Sequence, residues 1–103
     1  MEPLFHITLF HITTRAAWRE AQSAGVYRAS SLDQEGFIHL STADQWPRTL
    51  RRFFGGATDL ALLVIDPAKL AATVRYEAAD GEHFPHLYGP LNLDAVQDVR
   101  SVD

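Results

Sequence analysis

At 103 residues the chain has the length of one domain, able to fold around a single core but too short for two lobes with a cleft between them. A hydrophobic share of 47% with 21% charged residues is that of a soluble globular chain, and a formal charge of -4 argues against bulk nucleic acid as a partner. With no cysteine there is no disulfide framework, no thiolate nucleophile and no cysteine-ligated zinc.

The start, MEPLFHITLF, carries Glu2 where a signal peptide needs positive charge. No stretch approaches the roughly 20 apolar residues of a membrane span. A cytoplasmic protein with no membrane partner is therefore expected.

Residues 4–13, LFHITLFHIT, are one pentapeptide written twice, rich in Phe, Ile and Thr, and read as a strand. Side chains of a strand alternate between faces, so His6 and His11, five apart, point to opposite sides. At most one of them can look into a given pocket. Thr14 is placed to cap a helix carrying Ala17, Trp18, Ala21 and Ala24, with Gly25 as its stop.

VYRASSLDQEG has turn residues without a period and reads as a loop; FIHLS, Phe37 to Ser41, alternates as a second strand, with Phe37, His39 and Ser41 on one face. In TADQWPRTLRRFFGG, Trp46, Leu50, Phe53 and Phe54 fall at helical spacing before Gly55 and Gly56. The start of this helix has two solutions. Thr42 with Gln45 fits a capping box, whereas Asp44 as N-cap would keep Pro47 inside the first turn, where its missing N–H costs nothing.

DLALLVID is an uninterrupted apolar run, as expected of a central strand buried on both faces. TVRYEA then alternates, with Val74, Tyr76 and Ala78 on one face and Thr73, Arg75 and Glu77 on the other. ADGE turns the chain, FPHLYGPLNL is extended, and LDAVQDVRSV closes the domain as a turn of helix, a strand, or both. The order βαβα followed by several strands predicts a single α+β domain over residues 1–103, with a mixed or antiparallel sheet and two main helices.

Two stretches share a pattern: His11-Ile12-Thr13-Thr14 and His39-Leu40-Ser41-Thr42, each a histidine at a strand end followed by hydroxyl residues ahead of a helix. In each, the histidine and the first hydroxyl residue point the same way. A neutral imidazole exchanges a proton near pH 7 and a neighbouring hydroxyl binds a ribose or phosphate oxygen, so the two strands together can build a polar pocket. The structural alternative makes both histidines half-buried strand residues with bonded ring nitrogens, and the hydroxyls helix caps.

The doubled His-x-[Thr/Ser] is also the pattern of two-histidine phosphoesterases, although 28 residues is a short separation for two symmetric half-domains. A metal is not expected. The one metal-like spacing, HFPH, contains Pro85, which extends it and turns His83 and His86 apart. Glu77 reads either as an exposed ion-pair partner of Arg75 or as a carboxylate orienting a ribose. Tyr88 reads either as a core aromatic or as a stacking platform.

FHITTRAAW, EGFIHLST, RFFGG, LALLVID, VRYE and FPHLYGPLNL together resemble a bacterial family of small proteins, domain-of-unknown-function family 952, over about residues 9–99. The family pattern begins with a single His-Ile-Thr strand end, so the match runs through the second copy and His11; residues 1–8 are then an N-terminal strand extension. That family is similar in fold to ADP-ribosyltransferases, especially the branch of RNA 2'-phosphotransferases whose pocket uses histidines on the first two strands. The resemblance implies His11 and His39 as catalytic residues. It implies Thr13, Ser41 and Thr42 around a nicotinamide-ribose or ADP-ribose site, with His86 and Tyr88 at its edge. Glu77 is the candidate for the carboxylate such transferases need. NAD is then the expected small-molecule nucleotide, as substrate or ligand; a non-catalytic module binding a small ligand or a protein through the same concavity is the alternative.

Overall fold

A three-stranded antiparallel sheet divides the interior in two. In the computed structural model, which describes residues 8–102, β1 (Leu9–Thr14) pairs with β4 (Leu60–Ile65), and β4 pairs on its other side with β8 (Val96–Ser101). His6 and all but the last residue of the expected strand extension lie outside the described residues. All six residues of β4 are buried, as an apolar run covered on both faces must be. Leu63 and Ile65 enter one apolar cluster together with Leu9, and Leu60, Leu62 and Val64 enter the other together with Phe10 and Ile12.

The first cluster is covered by α1 (Arg15–Ala24), through Ala17, Trp18 and Ala21. Its ends follow the sequence. The Thr14 hydroxyl accepts the Ala17 N–H at 3.0 Å, and Gly25, at φ 87°, closes the helix with its N–H on the Ala21 carbonyl. The second cluster is covered by α3 (Trp46–Phe53), through Trp46, Leu50 and Phe54.

Three expectations need correction. The stretch expected as a loop forms β2 (Val26–Tyr27) and α2 (Ser30–Glu35), so there are three α-helices where two were expected. A six-residue helix that packs only Leu32 against the core has no apolar period to read. Asp44 does not cap α3; Gln45 does the tethering, its side-chain oxygen accepting the Thr42 N–H at 3.0 Å while its amide donates to the His83 carbonyl at 2.9 Å. Phe53 does not join the core with Phe54 but stands 64% exposed, with the Arg52 guanidinium 5.3 Å from its ring centre.

A second antiparallel sheet runs in the order β3 (Ile38–His39), β6 (Glu82–Tyr88), β5 (Thr73–Ala79). The β5–β6 hairpin closes through Asp80 and Gly81 at φ 52° and 82°, the paired positive angles of a two-residue type I′ turn. A short ladder of β2 with β7 (Leu91–Asn92) lies beside it. The expected single sheet is thus three antiparallel sheets, and the closing segment is both a 3-10 turn and a strand. The two larger sheets meet where Phe10 and Ser41 exchange a pair of backbone hydrogen bonds, both 2.8 Å.

The Gly89 backbone, at φ 156°, brings its α-carbon against Ala72, and a Cβ there would lie 2.7 Å from the Ala72 Cβ. Gly89→Ala is therefore expected to lower unfolding free energy by about 1–3 kcal/mol, from backbone strain and steric overlap together. Denaturant titration measures this. A loss below a few tenths of a kcal/mol would show that the loop relaxes without penalty.

Candidate functional site

The register of the second sheet decides what faces outward. Cross-strand partners share a face, and His39 pairs with His86, which pairs with Arg75, while Phe84 pairs with Glu77 and Tyr88 with Thr73. Ile38, Leu87 and Val74 take the opposite face and pack into the first core cluster. One face of this sheet is consequently polar and aromatic. It borders an open cleft of about 1120 Å³ whose wall includes His11, Thr13, Tyr27, Phe37, His39, Ser41, Phe84 and His86.

His11 sits at the floor, buried at 9% exposure. Its Nδ1 donates to the His39 carbonyl at 2.6 Å, and that assignment leaves Nε2 as an acceptor, 2.8 Å from the Tyr27 hydroxyl. The Tyr27 proton is thereby directed to His11, so the Thr13 hydroxyl, 3.0 Å from the Tyr27 oxygen, donates to it. Burial is the main cause that holds the His11 pKa down at about 4, outweighing the bond to the His39 carbonyl. Burial likewise pushes the Tyr27 phenol up, with the Thr13 bond acting against it. His11 is neutral at pH 7, and both of its ring nitrogens are engaged. Its chemistry here is to hold position and polarity rather than to exchange a proton.

His39 is the opposite case. Its side chain is 53% exposed, with Nε2 3.3 Å from the Glu35 carboxylate, a pair that exposure to water keeps weak. Its ring meets Phe37 edge-on at 4.8 Å and His86 at 5.4 Å. Phe37 in turn stacks on His86 with centroids 4.0 Å apart and planes within 12°.

Glu77 does not pair with Arg75 as the exposed-pair reading expected. Its Oε1 accepts from His86 Nδ1 at 2.8 Å and from the Tyr88 hydroxyl. These bonds, that from Tyr88 first, hold the Glu77 carboxyl below the usual range, while Arg75 lies over the Tyr88 ring at 5.5 Å. Tyr88 is 37% exposed, so the core-aromatic reading is corrected.

Of the residues singled out in the sequence, His11, Thr13, His39, Ser41 and His86 come together on the cleft wall; Thr42, Glu77 and Tyr88 are not part of it. Tyr27, which completes the buried chain, was missed. Nothing local in the sequence marks it: it stands two residues past the helix-ending Gly25, and its partners His11 and Thr13 are more than a dozen residues away. Among the described residues no three His, Cys, Asp or Glu side chains converge as metal ligands, and no helix is long and apolar enough to cross a membrane.

The chain belongs to the family described as Protein of unknown function (DUF952), which it matches over residues 12–99. It is similar to protein CC0527 from Caulobacter crescentus. With that protein's crystal structure it shares 33% identity and a TM-score of 0.86, over 93% of this chain and 86% of the other. The solution NMR structure of CC0527 gives a TM-score of 0.81 at 33% identity, over 93% and 84% of the two chains. None of the curated proteins compared matches this chain.

The depressed His11 pKa makes stability depend on pH. An unfolded histidine binds its proton near pH 6.5 and the folded one near 4, so between these values the unfolded state holds more protons and stability falls as pH falls. Above about pH 6.5 the contribution is fully present. Wild-type protein is expected to lose roughly 3 kcal/mol more than His11→Gln between pH 6.5 and 4. Urea midpoints across that range test it, and parallel curves would mean that His11 titrates normally.

Proposed function

We propose that this DUF952 protein binds a planar, nucleoside-like small molecule in its cleft, the nicotinamide-ribose portion of NAD being the best-fitting candidate, and does not turn it over. The observation that carries the reading is the fixed floor of His11, Tyr27 and Thr13 beneath the rings of Phe37, His39 and His86. An apolar, aromatic concavity with a few positioned polar groups is the usual form of a small-molecule site. The half-exposed His39 imidazole gives another flat ring an edge or face to pack against, and the Ser41 and Thr13 hydroxyls suit a sugar.

Charge narrows the ligand. Glu20, Glu35 and Asp80 border the cleft, against Arg28, which is itself 2.9 Å from Asp33. That balance favours a neutral or cationic ring, such as oxidised nicotinamide, over a free pyrophosphate. The strand-end histidines are what relate this reading to ADP-ribosyltransferase-like pockets and to ADP-ribosyl or 2'-phosphate transfer chemistry. Transfer itself has less support. A transferase needs a carboxylate that meets the ribose, and Glu77 is turned to His86 and Tyr88 instead. A two-histidine phosphoesterase mechanism needs His11 to give and take a proton, and both its nitrogens are engaged within the fold.

Thermal-shift and calorimetric titrations with nicotinamide riboside, NAD and ADP-ribose test the reading. The first two are expected to raise Tm more than ADP-ribose does. His39→Ala should weaken them by about tenfold or more, some 1.4 kcal/mol, with the unliganded Tm little changed. No shift with any of the three overturns the reading, and NAD consumption that disappears in Glu77→Gln would replace it with an enzyme.

A further inference from the structure

We propose that Glu77 and His86 form an oriented hydrogen-bond acceptor through which the cleft selects ligands offering a sugar hydroxyl. The proposal deepens the nucleoside-binding reading and rests on it. His86 is buried at 6% exposure and is wedged between Phe37, stacked on its face, and His39, set across it. A half-turn of the ring would keep that stack but lose the bond to Glu77, so the carboxylate fixes which edge faces it. Glu77 lies diagonally across the β5–β6 ladder and accepts from Nδ1 at 2.8 Å.

A carboxylate held in its ionised form can only accept, so Nδ1 must carry the proton and, in the neutral ring, Nε2 presents a lone pair. Nε2 has no hydrogen-bond partner among the described residues. His86 is part of the cleft wall whereas Glu77 is not, so a ligand in the cleft meets the ring and not the carboxylate that orients it. A buried acceptor without a partner is costly to leave unmade, and a donor arriving from the cleft removes that cost. Carboxylates and phosphates offer no proton to this atom. A hydroxyl does, and in a ligand of nucleoside type the ribose supplies it. Glu77 is in these terms a positioning residue, and Tyr88, donating to the same Oε1, holds the carboxylate in place.

Two measurements decide the proposal. Long-range 15N–1H correlation spectra of the free protein should place the His86 proton on Nδ1. Glu77→Ala should move it to Nε2, and Glu77→Gln, whose amide oxygen still accepts, should keep it on Nδ1. Calorimetry with nicotinamide riboside and its 2'-deoxy and 3'-deoxy analogues should then show one deoxy analogue binding about tenfold more weakly than the riboside. That preference should collapse in Glu77→Ala and in His86→Phe, which keeps the stack on Phe37. A wild-type proton on Nε2 overturns the proposal, and so does equal binding of the riboside and both analogues, which leaves the nucleoside reading intact. If neither the riboside nor NAD nor ADP-ribose binds wild-type protein, both fall together, whereas the proton position on His86 in the free protein tests the orientation independently of any ligand.

Discussion

One buried hydrogen bond, from His11 Nδ1 to the His39 carbonyl at 2.6 Å, sets the direction of every polar contact at the floor of the cleft. Because the carbonyl can only accept, the proton on His11 is fixed at Nδ1; Nε2 must then accept, Tyr27 must donate to it, and Thr13 must donate to Tyr27. A reversed link anywhere in this chain would leave two donors or two lone pairs facing each other out of water, at about 1–3 kcal/mol. Chains of this kind are stabilising only when every member is satisfied. The low pKa of His11 is the same constraint seen from the proton's side. A second proton would put a charge in the interior and force the Tyr27 hydroxyl to turn.

The same bond is a seam between sheets. Beside it Phe10 and Ser41 exchange backbone bonds, so β1 of the central sheet and the end of β3 are locked together at adjacent residues. His39 thus has two parts with separate duties. Its backbone carbonyl belongs to the buried chain, while its imidazole stands in the cleft beside Phe37 and His86. A strand only two residues long suffices because it is held on both sides: β6 pairs with Ile38 and His39 and takes the Leu40 N–H on the Pro85 carbonyl at 2.9 Å, and β1 binds its far end through the Phe10–Ser41 pair.

Much of this was legible in the sequence where a local rule decides the outcome. Thr14 and Gly25 bound α1, the apolar run from Leu60 is the central strand, and Asp80-Gly81 makes the hairpin. The DUF952 resemblance, too, is carried by blocks that span the chain. What was not legible depends on register and on partners far apart in the chain. The Glu77–His86–Tyr88 cluster follows once Ala79 is set opposite Glu82 and residues are counted outward along the hairpin. Read along one strand alone, Glu77 has only Arg75 for company, and the ion pair that suggests is absent. The short α2 buries too little to leave a period, and although Gln45 makes the side-chain bond to the Thr42 N–H of the expected capping box, its amide contact with the His83 carbonyl of β6 is one no capping pattern contains. Phe53 and Phe54 are both at helical spacing from Leu50, and only the geometry of the helix end decides which turns inward.

Three histidines in one cleft show why a motif is a poor guide to which of them meets a ligand. His11 carries the repeated pattern that draws attention in the sequence, yet both its nitrogens are bonded within the fold and its charge is suppressed. His86 lies outside that repeated pattern, but one nitrogen is fixed by a carboxylate and the other is unpartnered among the described residues. His39 is exposed and only loosely held by Glu35. Recognition requires a group that is both fixed and unsatisfied until the ligand arrives, since a mobile group must first be ordered and a satisfied one has nothing left to offer. By that criterion the proposed recognition centres on β6 at His86, with His39 as its more adaptable neighbour, while His11 holds the His39 backbone in place from the floor of the cleft.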